Sequence, residues 1–242
     1  RPYVTEITTQ ERERLRTLAR ENGVEIAAIH WVLAKTEGFH VTHPDPAVRR
    51  KTIGYLRALV QFGIEIGAQA MVVGSPAQRR LLEDVTYSEA WKWFAEAMAA
   101  AASEGAGTGF KICIEPLAPD TDNNFLFKTS EVVKMVQEIG MPNCGVIIDT
   151  YSASRTEEDI PAAIRLAGPH LMHYHCNDLN KRAPGWGRVD FVPIFDALLD
   201  IRFAGYCSIE VFDFSIEPRE HAGKGLQFLR DALAEAMSRR RR

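Results

Sequence analysis

The sequence predicts one α/β domain on a parallel sheet, of either the doubly wound or the (β/α)8 barrel kind. Short apolar runs rich in β-branched residues alternate with longer segments of helical period, which is the signature of strands joined by helical crossovers. The runs are almost continuously apolar, as strands covered on both faces are. A third observation bears on which kind. Each run closes on a polar or charged residue: His30, Ser75, Glu115, Asp149, His175 and Glu210. An open sheet spreads such residues along a line, whereas a closed barrel brings the C-terminal ends of its strands to one axis. A doubly wound sheet also usually carries a Gly-rich turn after its first strand, and none is present.

The first helix is expected over 9–23, from a Thr cap to Gly23, followed by a strand in "EIAAIHWVL" at 25–33. A helix over 45–67 has Pro46 just inside its start and Gly67 at its end, the usual placing of these two residues. The strand "AQAMVVGS" (68–75) and a helix over 88–105 come next. Then follow "KICIEPL" (111–117), a helix over 129–140, "CGVIIDT" (144–150) and a helix over 159–168. The last units are "LMHYHCND" (171–178), a helix over 191–201, "YCSIEVF" (206–212) and a helix over 220–239. Helices at 88–105 and 129–140 follow Ser or Thr caps and stop at glycine. No Pro/Gly/Ser linker interrupts the alternation, so residues 1–242 read as one domain.

Composition narrows the function. With 242 residues, 46% of them hydrophobic, the chain can bury a large core. A formal net charge of -3 gives no basic footprint for nucleic acid. The terminal "SRRRR" reads as the solvated end of a helix, where cations suit the dipole. No run of about 18 apolar residues is present, so no membrane span is expected. Cys113, Cys144, Cys176 and Cys207 show no C-x-x-C spacing and read as free thiols in a reducing, cytoplasmic compartment.

Strand alternation makes "LMHYHCND" informative. His173 and His175 share one face, and Tyr174 and Cys176 the other. Glu115, Asp149, His175 and Glu210 are spaced 26 to 35 residues apart, one strand–helix unit each, so they fall at one level of successive strands. Taken singly, each carboxylate could be a helix cap or a loop partner. Brought together, three carboxylates repel unless a cation joins them. Carboxylates with one imidazole suit Mn²⁺, Mg²⁺ or Co²⁺ better than a thiolate-rich structural zinc site. His173, one layer deeper, reads as a packed or supporting histidine.

"KICIEPL", "CGVIIDT", "HYHCND…PGWGRVDF" and "YCSIEVF" resemble the four metal-site strands of the xylose-isomerase-like sugar phosphate isomerase/epimerase superfamily, which includes ketose 3-epimerases, hydroxypyruvate isomerase and inosose dehydratase. The resemblance runs from about residue 9 to 235. It implies a (β/α)8 TIM barrel lacking, in this chain, the first strand, first helix and second strand, with the two missing strands placed before Tyr3. It implies one divalent cation, Mn²⁺ foremost with Mg²⁺, Co²⁺ or Zn²⁺ as alternatives, held by Glu115, Asp149, His175 and Glu210. Glu115 and Glu210 become the catalytic acid/base pair, abstracting a proton α to a carbonyl through a metal-bound cis-enediolate. The implied activity is a sugar (ketose) isomerase or epimerase. An inosose-type dehydratase or a non-catalytic sugar-binding barrel stands as the alternative.

Further positions follow from the resemblance. His30, Lys181, Asp178, Trp186 and Ser152 are expected at the substrate, a sugar or polyol-derived small molecule. Neither nucleic acid nor membrane is an expected partner, and a homo-oligomer is compatible. Two departures touch substrate positions. Ser152 stands where the epimerases usually carry a His three residues past the aspartate. "EPLAPDTDNNF" offers Asp120, Asp122 and Asn124 in place of their Arg and Glu.

Overall fold

The computed structural model describes residues 3–241. Five parallel strands, β1 (Ala70–Val73), β2 (Lys111–Ile114), β3 (Cys144–Asp149), β4 (Leu171–Cys176) and β5 (Tyr206–Ile209), lie side by side in sequence order. Such an order needs a crossover between every pair. The crossovers contain α3 (Tyr87–Glu104), α4 (Thr129–Ile139), the pair α5 (Thr150–Thr156) and α6 (Ile160–Ala167), and α7 (Phe191–Asp200). The helices α1 (Thr9–Glu21) and α2 (Pro46–Ile66) precede the sheet, and α8 (Pro218–Arg239) follows it.

The caps explain the helix starts. Thr8 and Glu11 form a capping box on α1, Thr86 and Glu89 another on α3, and the Asp45 carboxylate accepts from Ala47 N–H at the head of α2. Each satisfies amide donors that the first turn leaves unpaired. The helix α5, which the sequence does not announce, is capped by Asp149, whose side chain accepts from Ser152 N–H at 2.7 Å.

The sheet is curled into part of a barrel. Adjacent strands lie about 4.8 Å apart, so the ends of a flat five-stranded sheet would sit about 19 Å from each other. Here Gln69, just before β1, donates from Nε2 to the hydroxyl of Tyr206 on β5 at 2.8 Å. Tyr206 in turn donates to Glu25. The expected strand at 25–33 is reduced to one parallel bridge, Ile29 with Met71. Ile29 N–H donates to Ala70 O and Val72 N–H to Ile29 O, both at 2.9 Å. The chain then turns at Trp31, where φ is +56°. This segment has a ladder partner on one edge only. It meets β5 and the segment after it through side chains, with Tyr206 donating to Glu25 and Trp31 stacked on Phe212 with centroids 6.1 Å apart.

Curling creates two apolar layers. Ala70, Val72, Cys113 and Ile147 face the inside, with Ala28 and Met172 against them. The outer faces of the strands join the helices in a much larger cluster that includes Tyr174, Cys176, Ile148 and Phe94. The parity read from "LMHYHCND" is therefore the observed one, with Tyr174 and Cys176 in the outer layer. All four cysteines are free. Among the described residues, no helix is long and apolar enough to cross a membrane.

Candidate metal centre and active site

The ends of four strands deliver four side chains to one place. Asp149 closes β3 and is the register partner of His175 on β4. Glu115 and Glu210 each stand one residue past β2 and β5, tied back by Glu115 N–H to Val73 O at 3.3 Å and Glu210 N–H to Cys176 O at 3.1 Å. One ligand atom from each of Glu115, Asp149, His175 and Glu210 lies within 4.8 Å of all the others. Glu115, Asp149 and His175 are buried, and Glu210 is nearly so. His175 Nδ1 is 3.2 Å from Glu210 Oε2 and 3.7 Å from Glu115 Oε1.

Buried like charges shape the electrostatics. Burial, then Glu115 and Glu210, push the Asp149 carboxyl up to about 7. Burial alone would lower His175, but Glu115 and Glu210 outweigh it and hold the imidazole up at about 10. For Glu115, burial opposes ionisation, yet His175, His30 and Arg79 keep it below the ordinary glutamate value. His173 lies one layer down, its ring 5.2 Å from that of His175 and its Nε2 3.0 Å from Ser208 Oγ. Burial, then His175, lowers it to about 3, so it is a neutral packing partner.

The residues fit a divalent cation. His175 Nδ1 is buried without a hydrogen-bond partner, although two carboxylates flank it. A cation bound there would displace the proton that Glu115 and Glu210 hold on this ring and would take up the same two carboxylates in its place. Three carboxylates and one imidazole are the donor set of a hard or borderline cation.

The group opens into a cavity of about 410 Å³ at the C-terminal edge of the sheet. Three of the five expected substrate residues line it: His30, Ser152 and Lys181. His30 comes closer to the carboxylates than expected, with Nδ1 3.3 Å from Glu210 and Nε2 3.9 Å from Glu115. Lys181 holds its ammonium 4.8 Å from the Tyr151 ring centroid. The other two expected residues, Asp178 and Trp186, are not among those that line it. Asp178 is fully buried and accepts from the N–H groups of Leu179, Gly187 and Arg188 at 2.9 Å, so its carboxylate staples its own loop. A Cβ on Gly187 would overlap that carboxylate, which explains the glycine. Trp186 packs on His221, 5.1 Å between centroids, away from the cavity.

Asp120, Asp122 and Asn124 are likewise spent on loop contacts, with Tyr151 Oη, Arg80 and the Leu81 backbone. Sequence reasoning missed Asn177, which is fully buried. Its Nδ2 donates to Asp149 Oδ2 at 2.5 Å and its Oδ1 accepts from Tyr151 N–H at 2.7 Å, so it orients the aspartate. Phe212 was missed too. Lying two residues past Glu210, it lines the cavity with Trp31. Its position on the same strand parity as Glu210 was the available signal.

Residues 1–232 match the model of the xylose isomerase-like TIM barrel family. The chain is 27% identical over 216 residues to the D-psicose 3-epimerase of Ruminiclostridium cellulolyticum, an alignment covering 87% of this chain and 70% of that one. It is 38% identical over 104 residues to the D-psicose 3-epimerase of Agrobacterium fabrum, over 43% of this chain and 36% of the other. Its fold superposes with a TM-score of 0.83 on D-psicose 3-epimerase with D-tagatose from Clostridium cellulolyticum H10, at 21% identity, over 93% of this chain and 84% of that one.

Proposed function

The chain belongs to the xylose isomerase-like TIM barrel family, and from that premise we propose that it is a divalent-metal-dependent ketose epimerase or isomerase. The observation that carries the reading is the meeting of Glu115, Asp149, His175 and Glu210 within 4.8 Å beside a cavity that the three carboxylates line. The similarity to ketose 3-epimerases supports the substrate class.

Glu115, Asp149, His175 and Glu210 would hold the ion, Mn²⁺ foremost. When bound, it would polarise a substrate carbonyl and stabilise negative charge on the adjacent oxygen. A proton α to a carbonyl is weakly acidic, so its removal needs both a base and that stabilisation. Glu115 and Glu210 are the acid/base pair in this reading, one ionised as the base and the other protonated as the acid. They reach the centre from the ends of β2 and β5, so one carboxylate can remove a proton from one face of the carbon while the other, as its carboxylic acid, gives a proton to the opposite face, which leaves the first protonated and the second ionised. Inversion at that carbon is epimerisation.

The cavity volume suits a small sugar. His30, Ser152 and Lys181 offer it polar contacts, while Trp31 and Phe212 supply an apolar wall.

The test is solvent-deuterium incorporation into a panel of ketoses with Mn²⁺ added. Exchange by the wild type at the carbon beside the carbonyl, lost in Glu210→Gln, is the expected result. An absence of exchange with every ketose would overturn the reading. An enone or dicarbonyl product would redirect it to a dehydratase.

A further inference from the structure

The end of β1 contains two features that the reaction does not explain. Gly74 follows the strand and lines the cavity. Arg79, five residues on in "GSPAQRR", is one of the largest fully buried side chains among the described residues. Its Nη1 donates to Val73 O at 3.2 Å, while Nε and Nη2 are buried without partners. The same Val73 carbonyl accepts the Glu115 amide at 3.3 Å. One backbone oxygen thus accepts from two donors.

Gly74 is the next residue. A Cβ there would overlap Oε2 of Glu115 and lie 2.9 Å from its Cδ. Its φ is not in the left-handed region, so backbone conformation does not demand glycine. The requirement is volume: the space a side chain would fill is occupied by the Glu115 carboxylate. Shifting the strand end away would break the contacts of Val73 O with Arg79 and with Glu115 itself. The overlap would have to be relieved by moving the carboxylate, which is buried among His30, His175 and Asp149.

We infer that Gly74 is a positioning residue for Glu115, its missing side chain being the seat of the carboxylate, with Val73 and the buried Arg79 fixing the strand end that forms this seat. The inference rests on the reading of Glu115 as a cation ligand and adds the residue that aims it.

Mn²⁺ binding, followed by electron paramagnetic resonance or calorimetry, tests this without any substrate. Gly74→Ala is expected to weaken Mn²⁺ binding by about tenfold or more, the usual scale for disturbing a ligand's support. Glu115→Asp withdraws the carboxylate by one methylene and vacates the seat. Adding Gly74→Ala to Glu115→Asp is therefore expected to change affinity by less than about threefold, a coupling of the kind seen between residues in contact. Should Gly74→Ala alone fail to fold, the double variant is still expected to fold and to bind as Glu115→Asp does. Equal losses from Gly74→Ala in both backgrounds, or wild-type affinity in Gly74→Ala, would overturn the inference and leave the metal reading standing. A wild type that binds no Mn²⁺ would overturn both.

Discussion

His40 shows at the scale of one residue how burial becomes a pH dependence. Its N–H donates to Thr52 Oγ1 on α2 at 2.9 Å, and its ring lies 5.9 Å from that of His43. Its Nε2 is buried without a partner. Burial first, then His43 and Arg80, lowers this imidazole from 6.5 to about 4. Between those values the unfolded chain binds more protons than the folded one, so folding stability falls as pH drops from 6.5 toward 4. Above 6.5 the neutral ring costs nothing, and below 4 the loss is complete. Urea midpoints at pH 7.5 and 5 should differ more in the wild type than in His40→Gln. Equal pH slopes would show that His40 does not carry the effect. Residues differ in how legible they are. The meeting of Glu115, Asp149, His175 and Glu210 could be read from "IEP", "IDT", "HYH" and "IEV" because strand parity and unit spacing place side chains without knowledge of the loops. Asp178 could not, since its role depends on which amides of its loop turn toward it. Asn177 is of the same kind, a buried amide whose importance comes wholly from its two partners.

Among the elements, the β3–α5 junction joins two readings that the sequence sets against each other. A carboxylate after a strand is often merely a helix cap, and Asp149 is one, accepting from Ser152 N–H. It also stands in the carboxylate–imidazole group. The two roles separate by substitution. Asparagine caps as well as aspartate, whereas alanine does not, at a cost of about 1 kcal/mol. In metal-free protein, Asp149→Asn should keep the cap, and Asp149→Ala should be the less stable of the two by about that amount in urea unfolding. Equal stabilities would mean that the cap contributes nothing. The helix α5 itself was not legible, because seven residues give too little period to detect and its one signal, the cap, was already read as a ligand. The segment at 25–33 erred the other way. Its apolar run has the composition of a strand, but strand formation also needs ladder partners, and Ile29 finds one only in the strand β1.

For the whole molecule, the alternation of strands and helices was enough to foresee a parallel sheet, and the polar strand ends were enough to foresee that it curls. How the sheet's edges meet was not legible. Contacts such as Gln69 with Tyr206 and Trp31 with Phe212 join segments far apart in sequence, and no local pattern encodes them. They matter because curling, not any single strand, brings Glu115 after β2 and Glu210 after β5 both to within 3.7 Å of His175 Nδ1. The central claim is that this curled sheet assembles one divalent-cation site from Glu115, Asp149, His175 and Glu210. Elemental analysis of the purified protein after Mn²⁺ loading and dialysis, set beside Asp149→Asn treated identically, tests it most directly. The expected result is about one equivalent of metal per chain in the wild type and clearly less in the variant, since a removed ligand costs at least the ten- to hundredfold typical of its supports. A wild-type protein that retains no stoichiometric divalent metal, or a variant that retains as much, would contradict it.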